Sequence, residues 1–216
     1  LNLKIRNFYV ATHEISDKLR SQGIYAFVTG LPINPGFVEE KNLESLKIKY
    51  NINPNIPTIL IMSGGFGLKN QKFLIKKVLK SFPDFNLLVI AGKNNKKMIK
   101  KYLALKKETN PHYQVFEFIE KIEDLMAVSD IIITKPGGIT LTECAYLNKK
   151  IILNSPIPGQ EEINKNYFIK HGLAFDLNKK NIVWQIENLL KQKEILSFLP
   201  KNSNEQILQQ ILKNSR

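Results

Sequence analysis

The chain has 216 residues, 43% of them hydrophobic and 9% aromatic. That builds one full globular domain with a remainder too small for a second, and it rules out disorder; the single cysteine, Cys144, rules out a disulfide framework or a cysteine-based zinc site. Thirty-two basic against 19 acidic residues leave a charge of +13, which either suits an anionic partner or reflects lysine bias over an ordinary surface.

The start, Leu1-Asn2-Leu3, has neither a methionine nor a signal pattern, so the chain reads as cut from something longer. Phe8–Ala11, a helix over His13–Arg20 and Tyr25–Thr29 read as the closing strand-helix-strand of a preceding domain, residues 1–30. Residues 31–54, with Pro32, Pro35 and Pro54, read as an interdomain linker. From 55 to 196, strand-length apolar runs alternate with segments of helical period, the signature of a parallel α/β sheet. The strands are expected at Thr58–Met62, Leu87–Ala91, Gln114–Phe118, Ile131–Thr134, Ile151–Asn154 and Leu173–Asp176. The helices are expected at Asn70–Phe82, Asn94–Lys107, Ile122–Val128, Ile139–Leu147, Glu161–Lys170 and Lys179–Lys193. After Pro200, a helix over Ser203–Leu212 is expected to carry residues 197–216 back onto the amino-terminal domain. No apolar run approaches the roughly 18 residues of a bilayer-spanning helix. The expected fold is α/β, a doubly wound, Rossmann-like parallel sheet.

In such a sheet, ligands bind beyond the carboxyl ends of the strands. Two glycine loops are expected there, Ser63–Gly67 and Pro136-Gly137-Gly138. Glycine lets backbone approach an anion, and the following helix aims free N–H groups and a positive dipole end at it. Neither loop is a P-loop or a G-x-G-x-x-G fingerprint, and taken alone such a turn is more often structural than functional. The run Lys135–Glu143 is more specific. Glu143 in the helix after the loop either accepts the two hydroxyls of a ribose or merely complements the helix dipole. Thr140 and Thr142 either donate to phosphate or cap the helix. In Pro156–Asn164, an amide beside a carboxylate at a helix start either binds vicinal sugar hydroxyls or caps. A pair such as Glu143 and Glu161 also raises glycoside hydrolysis. Both are expected at helix starts, where the dipole lowers carboxylate pKa and disfavours a general acid. A nucleic-acid-binding module has the charge in its favour but no stacking pattern or motif, and nucleic acid is not an expected partner.

Ser63–Gly67, Lys135–Glu143 and Pro156–Asn164, in this order, resemble the motifs of the processive diacylglycerol glucosyltransferases, relatives of plant monogalactosyldiacylglycerol synthase. The peptidoglycan N-acetylglucosaminyltransferase is a more distant relative. The resemblance covers essentially the whole chain and implies the carboxy-terminal half of a GT-B type glycosyltransferase. It implies that Glu143 binds the ribose of a uridine diphosphate and that Gly137, Gly138, Ile139 and Thr140, with Lys135 ahead of them, hold the diphosphate. Ile119 matches a backbone contact to uracil, and Gln160, Glu161 and Asn164 match contacts to the donor sugar. Ser63, Gly64 and Gly65 match a loop facing the sugar-phosphate, although Ser-Gly-Gly-Phe-Gly departs from the family's usual glycine pattern.

The activity implied is inverting transfer of a hexose, glucose before galactose, from a UDP-sugar to diacylglycerol or a glycosyldiacylglycerol. The UDP-sugar is a co-substrate, and neither a cofactor nor a metal is expected, since helix dipoles neutralise the leaving group. The resemblance puts the general base in the amino-terminal domain, so this chain alone is expected to be inactive. Partners are then the UDP-sugar, the lipid acceptor and an anionic membrane surface, with peripheral attachment on the cytoplasmic face. The alternatives are a UDP-N-acetylglucosamine transferase of peptidoglycan type and a UDP-binding fragment without activity. His13 at a helix start, His112 in a turn and His171 at a helix end are read as structural, and Cys144 as a core residue.

Overall fold

Phe8–Val10 (β1) and Ala26–Val28 (β2) pair in parallel, joined by the helix His13–Arg20 (α1), which Thr12 caps by accepting the Ile15 N–H. They belong to a computed structural model that describes residues 7–62, 71–92, 96–105, 110–178, 180–193 and 195–214. The stretch read as a linker contains more than a linker. A 3₁₀ turn at Pro35–Phe37 and a helix at Leu43–Lys49 (α2) lie within it. Ile33, Phe37 and Ile52 are buried in the main core.

Six strands form the second sheet: Thr58–Met62 (β3), Asn86–Ile90 (β4), Tyr113–Phe116 (β5), Ile131–Thr134 (β6), Lys150–Leu153 (β7) and Phe175–Asp176 (β8). All pair in parallel, in the order β5-β4-β3-β6-β7-β8. This is the expected doubly wound sheet with the Rossmann strand order, reversing direction between β3 and β6. Interior strands covered on both faces read as unbroken apolar runs, and β6 is buried at every residue. Successive side chains point to opposite faces. Ile59, Ile61, Ile131 and Ile133 pack under Gln71–Ser81 (α3), Lys96–Leu103 (α4) and Ile182–Lys191 (α8). Leu60, Ile132, Ile151 and Leu153 pack on the other face, under Ile122–Val128 (α5), Gly138–Tyr146 (α6) and Gln160–Lys170 (α7).

Three strands, β4, β5 and β7, begin one residue before the expected position. Asn86 has the look of a turn residue, but its buried amide donates to Asn53 O, Ile56 O and Thr58 Oγ1, so it opens β4. β7 ends at Leu153 because the next residue, Asn154, turns its Oδ1 to the Ser155 N–H at 2.7 Å. The helix expected to reach Lys107 is described as far as Leu103, and 106–109 lie outside the described residues. The last helix, Ser203–Asn214 (α9), starts against Gly30. Gly30 has φ +77°, and a Cβ there would overlap Ser203 Oγ, so glycine is required for both backbone and contact. Asn204 Nδ2 also donates to Ile33 O at 3.0 Å. Among the described residues no helix is long and apolar enough to cross a membrane.

Candidate functional site

The strand order places a crevice between the carboxyl ends of β3 and β6. The loop after β3, with Ser63, Gly64 and Gly65, lies outside the described residues. The loop after β6 is described throughout. Lys135 is half-buried, Pro136 buried, and the Gly137 N–H closes a tight turn onto Lys135 O at 2.9 Å. Gly137 is then the N-cap of α6 and, as a glycine, makes no side-chain cap bond, so among the described residues the first amides carry no cap. Those free N–H groups face the crevice end of the sheet, an arrangement that favours an anion. Ile139 is exposed at the second position of this helix and Thr140 half-buried at the third. Thr142 is not available to phosphate: its hydroxyl donates back to Gly138 O at 2.9 Å.

The α7 start is built by different means. Gly159 caps it at φ 103°, ψ −119°, a conformation that side chains with a Cβ scarcely adopt. Gln160 follows, exposed. The Glu161 carboxylate folds back to accept the Ile157 N–H through Oε2 at 2.7 Å, which holds the Pro156–Gly159 turn. Asn164 joins the two helix starts. Its Nδ2 donates to Pro136 O at 3.1 Å and lies within 3.4 Å of where a Cβ on Gly138 would stand. The structure therefore brings Gly137, Gly138, Thr140 and Asn164 together, with Gln160 and Glu161 on the same α7 start. Ile119 sits between β5 and α5, at the carboxyl end of the same sheet, half-buried against the α5–α7 core.

Glu143 lies in the second turn of α6, and its carboxyl is raised to about 7 by burial and then by the like charge of Glu123. This corrects the expectation of a lowered pKa. The dipole acts over the first helical turn and fades beyond it, whereas burial acts on the whole carboxylate. The objection to a general acid at Glu143 fails with it. Glu123, buried in the first turn of α5, was not singled out by sequence; two adjacent acidic residues there look like ordinary dipole partners. The next residue, Asp124, was missed too. It accepts from Lys41 Nζ at 3.2 Å, Lys49 Nζ at 2.9 Å and Tyr50 OH at 3.0 Å, pinning α2 and its flanks to α5.

A cavity of about 620 Å³ adjoins the α6 start. Gly138 and Asn164 form one wall, while Ile15, Leu31, Phe168 and Leu199 give it an apolar interior. The three histidines occupy the expected places. His13 opens α1, His112 lies in the turn before β5, and His171 caps the end of α7, with Nε2 3.0 Å from Glu14 Oε1. Cys144 is fully buried, and burial pushes its thiol pKa up, so it is a core residue. Among the described residues no three His, Cys, Asp or Glu side chains gather as a metal site.

The family model described as glycosyl transferases group 1 matches residues 42–206. The processive diacylglycerol beta-glucosyltransferase of Bacillus subtilis (strain 168) is 36% identical over 225 residues, covering 98% of this chain and 58% of that protein. The enzyme of the same name from Bacillus pumilus is 35% identical with the same coverage. The chain thus spans little more than half the length of these relatives. Two solved structures share the fold. The UDP-GlcNAc 2-epimerase of Neisseria meningitidis bound to UDP-GlcNAc has TM-score 0.68 at 18% identity, over 96% of this chain and 61% of that one. Acinetobacter baumannii MurG has TM-score 0.61 at 17% identity, over 96% and 66%.

Proposed function

Because the chain belongs to the group 1 glycosyl transferases, we propose that it supplies the donor half of an inverting transferase moving glucose from UDP-glucose to diacylglycerol or a glycosyldiacylglycerol. The observation that carries this reading is the pair of helix starts, α6 and α7, tied by the Asn164–Pro136 bond at the strand-order reversal. The bare amides of Gly138 and its neighbours receive the diphosphate. Glu143 accepts the ribose hydroxyls once ionised, Ile119 meets the uracil through its backbone, and Gln160 and Glu161 take the sugar. An acceptor hydroxyl attacks the anomeric carbon on the face opposite the leaving diphosphate and passes its proton to the general base that the resemblance assigns to the amino-terminal domain. The C–O bond to UDP breaks, and the electron pair moves onto a phosphate oxygen that the α6 amides stabilise. The apolar cavity beside Gly138 suits the glycerolipid end of the acceptor, and attachment to the membrane is peripheral. The lipid acceptor is favoured over a peptidoglycan precursor because the relatives over 98% of this chain are named for diacylglycerol.

The test is transfer from radiolabelled UDP-glucose to dioleoylglycerol by the protein carrying this chain, with UDP-galactose and UDP-N-acetylglucosamine alongside. Glucosyl lipid as the main product supports the reading, and label only in an N-acetylglucosamine product rejects it. A second prediction concerns discrimination within the site. Gln160→Ala should weaken UDP-glucose binding by about 1 kcal/mol, the scale of one hydrogen bond, and leave UDP binding unchanged. Equal losses for both ligands in calorimetry would move Gln160 to the nucleotide or to the scaffold.

A further inference from the structure

The two helical layers that cover the main sheet differ sharply in charge. On one face, α3, α4 and α8 carry nine lysines and one acidic residue, Glu187. On the other, α2, α5, α6 and α7 carry four lysines and six carboxylates. The excess of +13 is therefore not spread by composition. Much of it is gathered on a single face.

That face is also open. Lys72, Lys76, Lys80, Lys96, Lys97, Lys100, Lys101 and Lys191 are all exposed. Among the described residues none of these eight pairs with a carboxylate; the ion pairs engage Arg20, Lys41, Lys49, Lys165, Lys170 and His171. Large apolar side chains stand among them. Phe73 on α3 is 60% exposed and Trp184 on α8 is 66% exposed, and Leu103 ends α4 in the open. Both rings project away from the sheet, because the buried stripe of α3 runs through Leu74, Ile75 and Val78 and that of α8 through Ile182, Ile186 and Leu189. The other layer exposes apolar residues too, Ile48 and Ile163 for example, but there carboxylates outnumber lysines, and Lys49, Lys165 and Lys170 are engaged in ion pairs.

We infer that the outer face of α3, α4 and α8 docks on an anionic lipid surface, its lysines meeting head groups while Phe73, Leu103 and Trp184 enter the interfacial zone. The chemistry is the ordinary one of peripheral attachment: lysines near a negative leaflet attract it within a Debye length, and aromatic side chains settle at head-group level. The proposal rests on the reading of the chain as part of a lipid glycosyltransferase and adds which face meets the membrane. Nucleic acid is the competing polyanion. A phosphate backbone is met by the lysines alone, whereas the interfacial zone of a leaflet also receives the exposed Phe73, Leu103 and Trp184.

Trp184 is the chain's one tryptophan, so its emission reports on this face directly. The chain is titrated with phosphatidylcholine vesicles containing 30% phosphatidylglycerol, with pure phosphatidylcholine vesicles, and with a duplex DNA. The expected result is a blue shift and co-sedimentation with the anionic vesicles only, reversed by raising salt. Lys72→Gln/Lys76→Gln should lower vesicle binding about 25-fold, roughly fivefold for each lysine. Arg20→Gln/Lys213→Gln, which removes the same charge elsewhere, should lower it less than threefold. UDP affinity measured on each variant confirms folding and separates the two readings. Loss of vesicle binding with UDP binding intact leaves the donor site standing. Equal losses in the two double variants, no blue shift, or binding to duplex in preference to vesicles would each overturn the docking face.

Discussion

Glu143→Ala is expected to weaken UDP binding by about 1–3 kcal/mol, the range for lost hydrogen bonds to a charged group, without unfolding the chain. The same residue makes binding depend on pH. Its carboxyl titrates at about 7 in the unliganded chain, raised by burial and by Glu123. An ionised carboxylate accepts both ribose hydroxyls, whereas a protonated one has to give up its proton first. Affinity for UDP-glucose, whose phosphates do not titrate in this range, should therefore fall as pH drops below 7, by up to about tenfold per unit. Glu143→Gln should bind weakly and flatly across pH 5.5–8.5. Folding responds with the opposite sense. The native carboxyl titrates above the ordinary 4.5, so this group favours the fold most below pH 4.5, and the contribution is lost as pH rises towards 7. Glu143→Gln should accordingly raise the thermal midpoint of the unliganded chain at pH 8. A midpoint unchanged in the variant, with pH-independent binding in the parent, would place Glu143 in solvent rather than in a buried cradle.

Asp124→Ala should cost about 3 kcal/mol of stability, at the low end of the range for breaking a buried ion pair. The side chain of Asp124 is 6% exposed and that of Lys41 12%, so removing the carboxylate strands a nearly buried ammonium, while Lys49, at 52%, regains water. Burial by itself would raise the Asp124 pKa, but the bonds from Lys49, Tyr50 and Lys41 outweigh it and hold the carboxyl below its ordinary 3.8. The sign of the linkage follows. This contribution is complete above pH 3.8 and is lost as pH falls through the lower native value. The effect reaches the site through packing. The turn that α2 follows brings Gly36 against Glu123, where an added Cβ would overlap Oε1, and Glu123 in turn acts on Glu143. Chemical denaturation showing a loss under 1 kcal/mol would mean that α2 and its flanks are held by Leu46 and Phe37 alone.

The main sheet was legible because strands buried on both faces leave a contiguous apolar run such as Ile131–Thr134 bounded by polar turns. The glycine loop after β6 and the α6 start were legible for a related reason, since backbone that must approach a ligand dispenses with side chains. Helix α2 was hidden. Its seven residues offer Leu43, Leu46 and Ile48 too briefly for a period, and nearby prolines suggest a free connector. The raised pKa of Glu143 was invisible because its partner, Glu123, lies 20 positions away and meets it only through packing of α5 beside α6. The gathering of lysines on one face was equally invisible. A run such as Lys96–Lys101 looks like any solvated helix until the opposite layer proves acidic.

The most direct test is a crystal structure of the chain with UDP-glucose bound. The account predicts the ribose hydroxyls within hydrogen-bond distance of Glu143, the diphosphate over the Gly138–Thr140 amides, and the sugar beside Gln160. A nucleotide bound away from the β3–β6 crevice, or one whose ribose leaves Glu143 untouched, would contradict it.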